Sequence, residues 1–279
     1  MQGFETLCNP LSTMPSRSFL FVTLAVLVFG YLGLNLLVRW IYPKALFPYR
    51  GTSYETLPGL QRVNSEDGNE IAFVYRPADQ PDAPLLFYLH GNGEDIGMNA
   101  DRFEWFHEHG FAVIAPDYPG YGLSTGRPTG DSVRSATLAV WQYARDNLDA
   151  TPANTVIWGR SLGGAPGTWL ASREDFGGLI LESTFRSVFT AANLPFPVFL
   201  KEPFPTERLI EKVSAPILLF HGEQDRIIPA DHSRKLAKIA ETQATLILFP
   251  EGAHNDLRYV DEEKMSTALT RMRDQLRSE

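Results

Sequence analysis

A serine set between glycines, an aspartate and a histidine, far apart along this 279-residue chain, could together make a nucleophile. The serine is Ser161, in Gly159-Arg160-Ser161-Leu162-Gly163. The aspartate is Asp225, in His221-Gly222-Glu223-Gln224-Asp225, and the histidine is His254, in Gly252-Ala253-His254-Asn255-Asp256. A serine hydroxyl is a poor nucleophile alone. An imidazole that takes its proton, held in the right tautomer by a carboxylate, activates it. G-x-S-x-G between a strand and a helix is the nucleophile elbow, a strained turn that lifts the hydroxyl clear of the backbone. Thr155-Val156-Ile157-Trp158 before it is a β-favouring apolar run, and Gly164-Ala165-Pro166-Gly167 after it can open a helix. Pro166 removes one backbone donor near that helix start, where the cost is small. Each residue alone also has a plainer reading: a glycine-rich turn, a loop aspartate, a surface histidine. Glu223 is a rival acid, and the offset from the preceding strand favours Asp225.

A reaction through an acyl-enzyme also needs donors for the developing oxyanion. In an elbow, one donor is the N–H of the residue after the nucleophile, here Leu162, and the second comes from an early strand-to-helix loop. Leu89-His90-Gly91-Asn92-Gly93 is that loop, and the backbone N–H of Asn92 is the candidate. His90 reads as a structural hydrogen-bonding residue. Asp117-Tyr118-Pro119-Gly120-Tyr121-Gly122-Leu123-Ser124 lacks the lysine and spacing of a phosphate loop and reads as a structural turn bordering the site. Between residues 183 and 212, aromatics alternate with prolines. Phe185, Phe189, Phe196 and Phe199 are candidates for an apolar acyl pocket under a small cap, with ordinary core packing as the alternative.

The elements that must position these groups follow from hydropathy patterning. Leu60–Asn64 and Glu70–Tyr75 flank Asp67-Gly68 as a hairpin. Continuous apolar runs at 85–89, 111–115, 156–158, 179–181, 217–220 and 245–249 have the pattern of strands covered on both faces. Helical spacing lies between them at 99–108, 132–147, 231–240 and 261–277. That alternation predicts an α/β fold, a mostly parallel central sheet with helices on both faces. Ligands of such sheets gather beyond the carboxyl ends of the strands, where every candidate above falls.

Ser18–Val38 is a 21-residue stretch without a charge, long enough to cross about 30 Å of hydrocarbon. Trp40 and Tyr42 follow it, as interfacial rings do, and no A-x-A-like cleavage site is evident. The expected organisation is a tail (1–17), a transmembrane anchor (18–38), a linker (39–53) marked by Pro43, Pro48 and Gly51, and a catalytic domain (54–279). Arg39, Lys44 and Arg50 on one side, against Arg17 and the amino terminus on the other, lean towards a cytoplasmic domain, and so small a difference leaves the side open. The first 50 residues hold four basic side chains and one acid, which leaves 21 basic and 32 acidic residues afterwards, a net of −11. Such a domain is a poor partner for nucleic acid. Cys8 is the single cysteine, so no intramolecular disulfide forms. No histidine spacing suggests a metal, and no cofactor is expected.

HGNG at His90–Gly93, DYPGYGLS at Asp117–Ser124, GRSLGG at Gly159–Gly164, HGEQDRIIP at His221–Pro229 and GAHND at Gly252–Asp256 together resemble the α/β-hydrolase superfamily, and within it the Bem46-type membrane-anchored serine hydrolases. The chain order serine, aspartate, histidine is also the one those hydrolases use. The resemblance runs from about Tyr54 to Arg277. It implies hydrolysis of carboxylic esters or thioesters through an acyl-enzyme, with Ser161 as nucleophile, His254 as general base and acid, and Asp225 as its orienting acid. The implied partner is a small-molecule or lipid-like acyl substrate. An amidase or peptidase, an acyltransferase and a catalytically silent scaffold stay open as alternatives. Oligomeric state is not legible.

Overall fold

The structure, a computed structural model, describes residues 16–48, 51–191 and 204–276. It falls into two units, residues 1–42 and 43–279. The first unit is the body of helix α1 (Arg17–Leu46). Phe19, Phe21, Leu24, Leu27, Phe29 and Leu36 are all exposed on it, so apolar side chains face outward all round. Residues 17–38 form one helix long and apolar enough to cross a membrane. Its amide side chain at Asn35 donates to the Tyr31 carbonyl one turn back, at 2.9 Å. The helix continues to Leu46, which corrects the expectation of a linker from residue 39. Proline has a helical φ, so Pro43 forfeits a hydrogen bond without by itself ending the helix.

The second unit is built on one eight-stranded sheet. Its strands are β1 (Leu60–Asn64), β2 (Glu70–Arg76), β3 (Leu85–Leu89), β4 (Ala112–Pro116), β5 (Thr155–Arg160), β6 (Gly178–Glu182), β7 (Ile217–Gly222) and β8 (Ala244–Phe249). Their order is β1-β2-β4-β3-β5-β6-β7-β8. β1 and β2 form the antiparallel hairpin expected around Asp67-Gly68, with Gly68 at φ 81°. β2 pairs antiparallel with β4, and every pairing from β4 across to β8 is parallel. β3, β5, β6 and β7 are buried along their whole length; apolar runs fill most of these positions, and Thr155, Arg160, Glu182 and His221 are buried polar residues among them.

The helices of this unit are α2 (Ala100–Glu108), α3 (Gly130–Asn147), α4 (Gly164–Ala171), α5 (Val188–Ala191), α6 (Thr206–Leu209), α7 (Asp231–Ala240), α8 (Leu257–Val260) and α9 (Glu262–Leu276). Side chains alternate across a strand, so each strand feeds two cores. On one face Leu86, Tyr88, Val156, Trp158, Ile180 and Phe220 pack with Phe103 and Phe106 of α2 and Met265 and Leu269 of α9. On the other, Phe87 meets Trp141 of α3 edge to face, ring centroids 6.3 Å apart. With both faces covered, the open space for chemistry is the edge where β3, β5, β6, β7 and β8 end.

Candidate active site

β5 ends at Arg160, and Ser161 opens a tight turn into α4. Ser161 sits at φ 50°, a left-handed conformation that costs a non-glycine residue energy and recurs at functional sites. The flanking glycines explain how the turn closes. A Cβ on Gly159 would stand 2.5 Å from the Gly163 carbonyl, and one on Gly163 would stand 2.0 Å from the Leu89 carbonyl. Thr184, just past β6, donates its hydroxyl to the Ser161 carbonyl at 2.7 Å. Pro166 lies in the first turn of α4 and does not interrupt it.

Three strand ends bring the predicted residues together. Ser161 Oγ lies 3.0 Å from His254 Nε2, and His254 Nδ1 lies 2.7 Å from Asp225 Oδ2. Asp225 follows β7 in a loop that it organises itself: its Oδ1 accepts the backbone N–H groups of Ile227 and Ile228, each at 2.8 Å. His221 Nε2 stands 3.3 Å from Asp225 Oδ2 and donates to the Ile228 carbonyl at 2.7 Å. Burial pushes the Asp225 carboxyl up, and His221, His254 and the Ile228 amide outweigh it, so the group stays ionised well below the usual carboxylate range. His254 follows β8 and is nearly buried. Its loop is fixed by Asp256, whose Oδ1 accepts the Ala253 N–H at 2.7 Å. Glu223, the rival acid, is exposed and pairs with Arg234 on α7.

The loop after β3 carries the oxyanion candidate. Gly91 cannot supply a donor, because its N–H is taken by Glu94 Oε1 at 2.6 Å. The N–H groups of Asn92 and Leu162 find no acceptor among the described residues. The Asn92 side chain donates to the Leu46 carbonyl at 3.2 Å. Its carbonyl accepts the Tyr121 hydroxyl at 2.9 Å, and the His90 carbonyl accepts Tyr118 at 2.8 Å. The turn at Asp117–Ser124 is thus the backing of this loop, and spacing alone did not reveal that its two tyrosines would hold neighbouring carbonyls. His90 is fully buried against Tyr118. Its Nε2 stands 3.4 Å from Asp117 Oδ1 without hydrogen-bond geometry. Burial lowers its affinity for a proton, and the nearby Asp117 and Glu94 carboxylates outweigh that and raise it.

The insertion expected as a cap is described only at its ends. Phe185 is buried, and Arg186 and Glu207 pair across the two ends at 2.6 Å. Phe189 lies in α5, its side chain outside what is described, and Phe196 and Phe199 lie outside the described residues. Spacing also missed Arg160, Glu94 and Asn255. Arg160 and Asn255 sit inside motifs already singled out and Glu94 directly follows one, and only the fold shows them converging.

Residues 84–203 match a family model described as alpha/beta hydrolase fold, and residues 205–258 one described as serine aminopeptidase, S33. The solved esterase Pf2001 of Pyrococcus furiosus superposes with a TM-score of 0.64 at 16% identity, over 76% of this chain and 90% of that one. The chain belongs to the α/β-hydrolase superfamily. YfhR of Escherichia coli K12, an uncharacterized protein, is 36% identical over 187 residues, 64% of this chain and 66% of that protein. This chain therefore spans about two thirds of that relative's length. Human alpha/beta hydrolase domain-containing protein 17B is 28% identical over 200 residues, 70% of this chain and 68% of that protein. These relatives are consistent with the narrower Bem46-type resemblance, and membership of this superfamily supports a hydrolase activity.

Proposed function

We propose that this hydrolase is a membrane-anchored serine esterase or thioesterase acting on hydrophobic acyl substrates. The observation that carries the reading is the unbroken chain from Ser161 Oγ through both nitrogens of His254 to Asp225 Oδ2, at 3.0 and 2.7 Å. In the first half-reaction Ser161 Oγ bonds to the acyl carbon as its proton passes to His254 Nε2. The bond from that carbon to the leaving oxygen or sulfur then breaks, and the leaving group takes the proton. In the second half a water molecule gives its proton to His254, attacks the same carbon and frees Ser161. Asp225 fixes the Nδ1–H tautomer and stabilises the imidazolium. The N–H groups of Leu162 and Asn92 face the negative oxygen, a donor of this kind being worth about 3 kcal/mol of barrier. Phe185, buried just past β6, is the candidate for an apolar wall among the described residues.

In this reading residues 17–38, a helix long and apolar enough to cross a bilayer, are the anchor. An apolar helix exposed on every side has no stable place in water. The match of residues 205–258 to the serine aminopeptidase model favours a second reading, in which the same serine cleaves an amide. A fluorophosphonate probe tests the nucleophile: labelling of the full chain should vanish in Ser161→Ala, and equal labelling of both proteins would refute it. Turnover of matched ester, thioester and amide substrates separates the two readings, and constant turnover from short to long acyl chains would count against an apolar pocket.

A further inference from the structure

Beside the serine lies a buried group of charges that the reaction above does not use. Arg160, the residue before the nucleophile, is 8% exposed. Its NH1 donates to Glu94 Oε1 at 2.5 Å, its NH2 to Asn255 Oδ1 at 2.6 Å, and its Nε stands 3.7 Å from Glu182 Oε1. Glu94 Oε1 also accepts the Gly91 N–H. Behind it Glu182 is held by both terminal nitrogens of Arg102, at 2.6 and 3.2 Å, and by Trp158 Nε1 at 2.8 Å. Two arginines thus balance two glutamates. Burial opposes the charges, yet their mutual attraction keeps both carboxyls below the usual range.

Buried ion clusters are poor devices for stability alone, because apolar residues fill the same space without desolvation cost. What this one has is connectivity. Glu94 belongs to the loop after β3, Arg160 to the end of β5, and Asn255 to the loop after β8. Asn92, the oxyanion candidate, lies between Gly91 and Glu94, and Asn255 directly follows His254. No hydrogen bond joins Glu94 to Asn255 directly. The planar guanidinium offers donors in a fixed fork, so holding both acceptors at once fixes the angle between the two loops.

We propose that Arg160 is a positioning residue that clamps the oxyanion loop, through Glu94, and the histidine loop, through Asn255, to the strand end that presents Ser161. The proposal rests on the reading of Ser161 as nucleophile for its catalytic consequence, but its structural content is independent of activity. The clamp makes two loops that do not bond one another respond as one.

The test is amide hydrogen exchange on the full-length protein in detergent micelles, comparing wild type with Asn255→Ala and Glu94→Ala. Asn255→Ala should speed exchange in residues 90–95 about tenfold, and Glu94→Ala should do the same in residues 252–257. The conservative variants Asn255→Asp and Glu94→Gln keep an acceptor for Arg160 and should restore protection. Changes confined to the mutated loop would overturn the proposal, whether or not the protein turns over any substrate. With p-nitrophenyl butyrate as probe, each alanine variant should lower kcat about 10- to 100-fold with KM unchanged, the scale expected when reacting groups are misplaced by about 1 Å. The double alanine variant should lose far less than the product of the two, since both break one clamp. Independent, multiplying losses would also overturn it. A failure of Ser161→Ala to abolish probe labelling would instead refute the nucleophile and leave the exchange result to decide the clamp.

Discussion

Asp225→Asn is the substitution whose outcome the geometry dictates most closely. The aspartate has two oxygens in unequal surroundings. Oδ1 accepts two backbone N–H groups, from Ile227 and Ile228, and Oδ2 accepts His254 Nδ1. An asparagine must place its single oxygen with the two backbone donors, because its NH2 there would leave both unpaired, at about 1–3 kcal/mol each. The NH2 is then driven to the Oδ2 position, facing His254 Nδ1. A donor there forces Nδ1 to accept, so the imidazole proton moves to Nε2 and points at Ser161 Oγ. The base has lost the lone pair it needs. The expected loss in kcat is about 10⁴, equivalent to about 5.4 kcal/mol of barrier. The fold should survive, since the Ile227 and Ile228 bonds are kept. The assay is kcat/KM on p-nitrophenyl butyrate beside the rate of fluorophosphonate labelling, with circular dichroism to check the fold. A folded variant within tenfold of wild type would refute the tautomer argument and return Glu223, now paired with Arg234, to consideration.

Gly163→Ala should destabilise by about 3 kcal/mol, the upper end for overpacking, because its Cβ would meet the Leu89 carbonyl at 2.0 Å and both partners are backbone; a denaturant midpoint equal to wild type would contradict the close approach. Glu94 and Glu182 have depressed folded pKa values despite burial, so their stabilisation is present above the unfolded value of about 4.3 and lost as pH falls through the folded ones. Urea melts from pH 7 to pH 3 should therefore fall steeply below about pH 4.3, and less steeply in Glu182→Gln; identical slopes would disprove the link. A protein starting at Pro43 keeps the Leu46 carbonyl on Asn92, buried Phe47 beside Phe204, and the Ser53 N–H on Asp95 at 2.6 Å, all of which a start at Tyr54 removes. Losing Phe47 alone is worth about 2 kcal/mol, so the shorter protein should melt about 4–8 °C lower, and matching melting temperatures would show that the segment is dispensable.

What the sequence revealed of this fold has a physical pattern. Strands such as β3 and β6 were legible because a strand buried on both faces is mostly an apolar run, Leu85–Leu89 in one and Leu179–Leu181 in the other. The elbow was legible for a related reason: Gly159 and Gly163 occupy places where any Cβ would strike backbone, so the constraint is written as residue type. Asp225 and His254 could be read because each lies just past a strand, and strand ends share an edge. The domain's start was misjudged because Pro43 suggested a break, while the contacts that tie 46–53 to the site reach across dozens of residues to Asn92, Asp95 and Phe204. Arg160 was hidden differently. In its motif it fills a variable place, and on a strand its charge argues for solvent. Only when parallel pairing sets β5 between β3 and β6 does its side chain find Glu94 and Glu182 within reach. The proposed nucleophile, base and acid are thus announced by local rules. The residues that hold them at the right angle are not, because their partners are chosen by the order of strands rather than by neighbours in the chain.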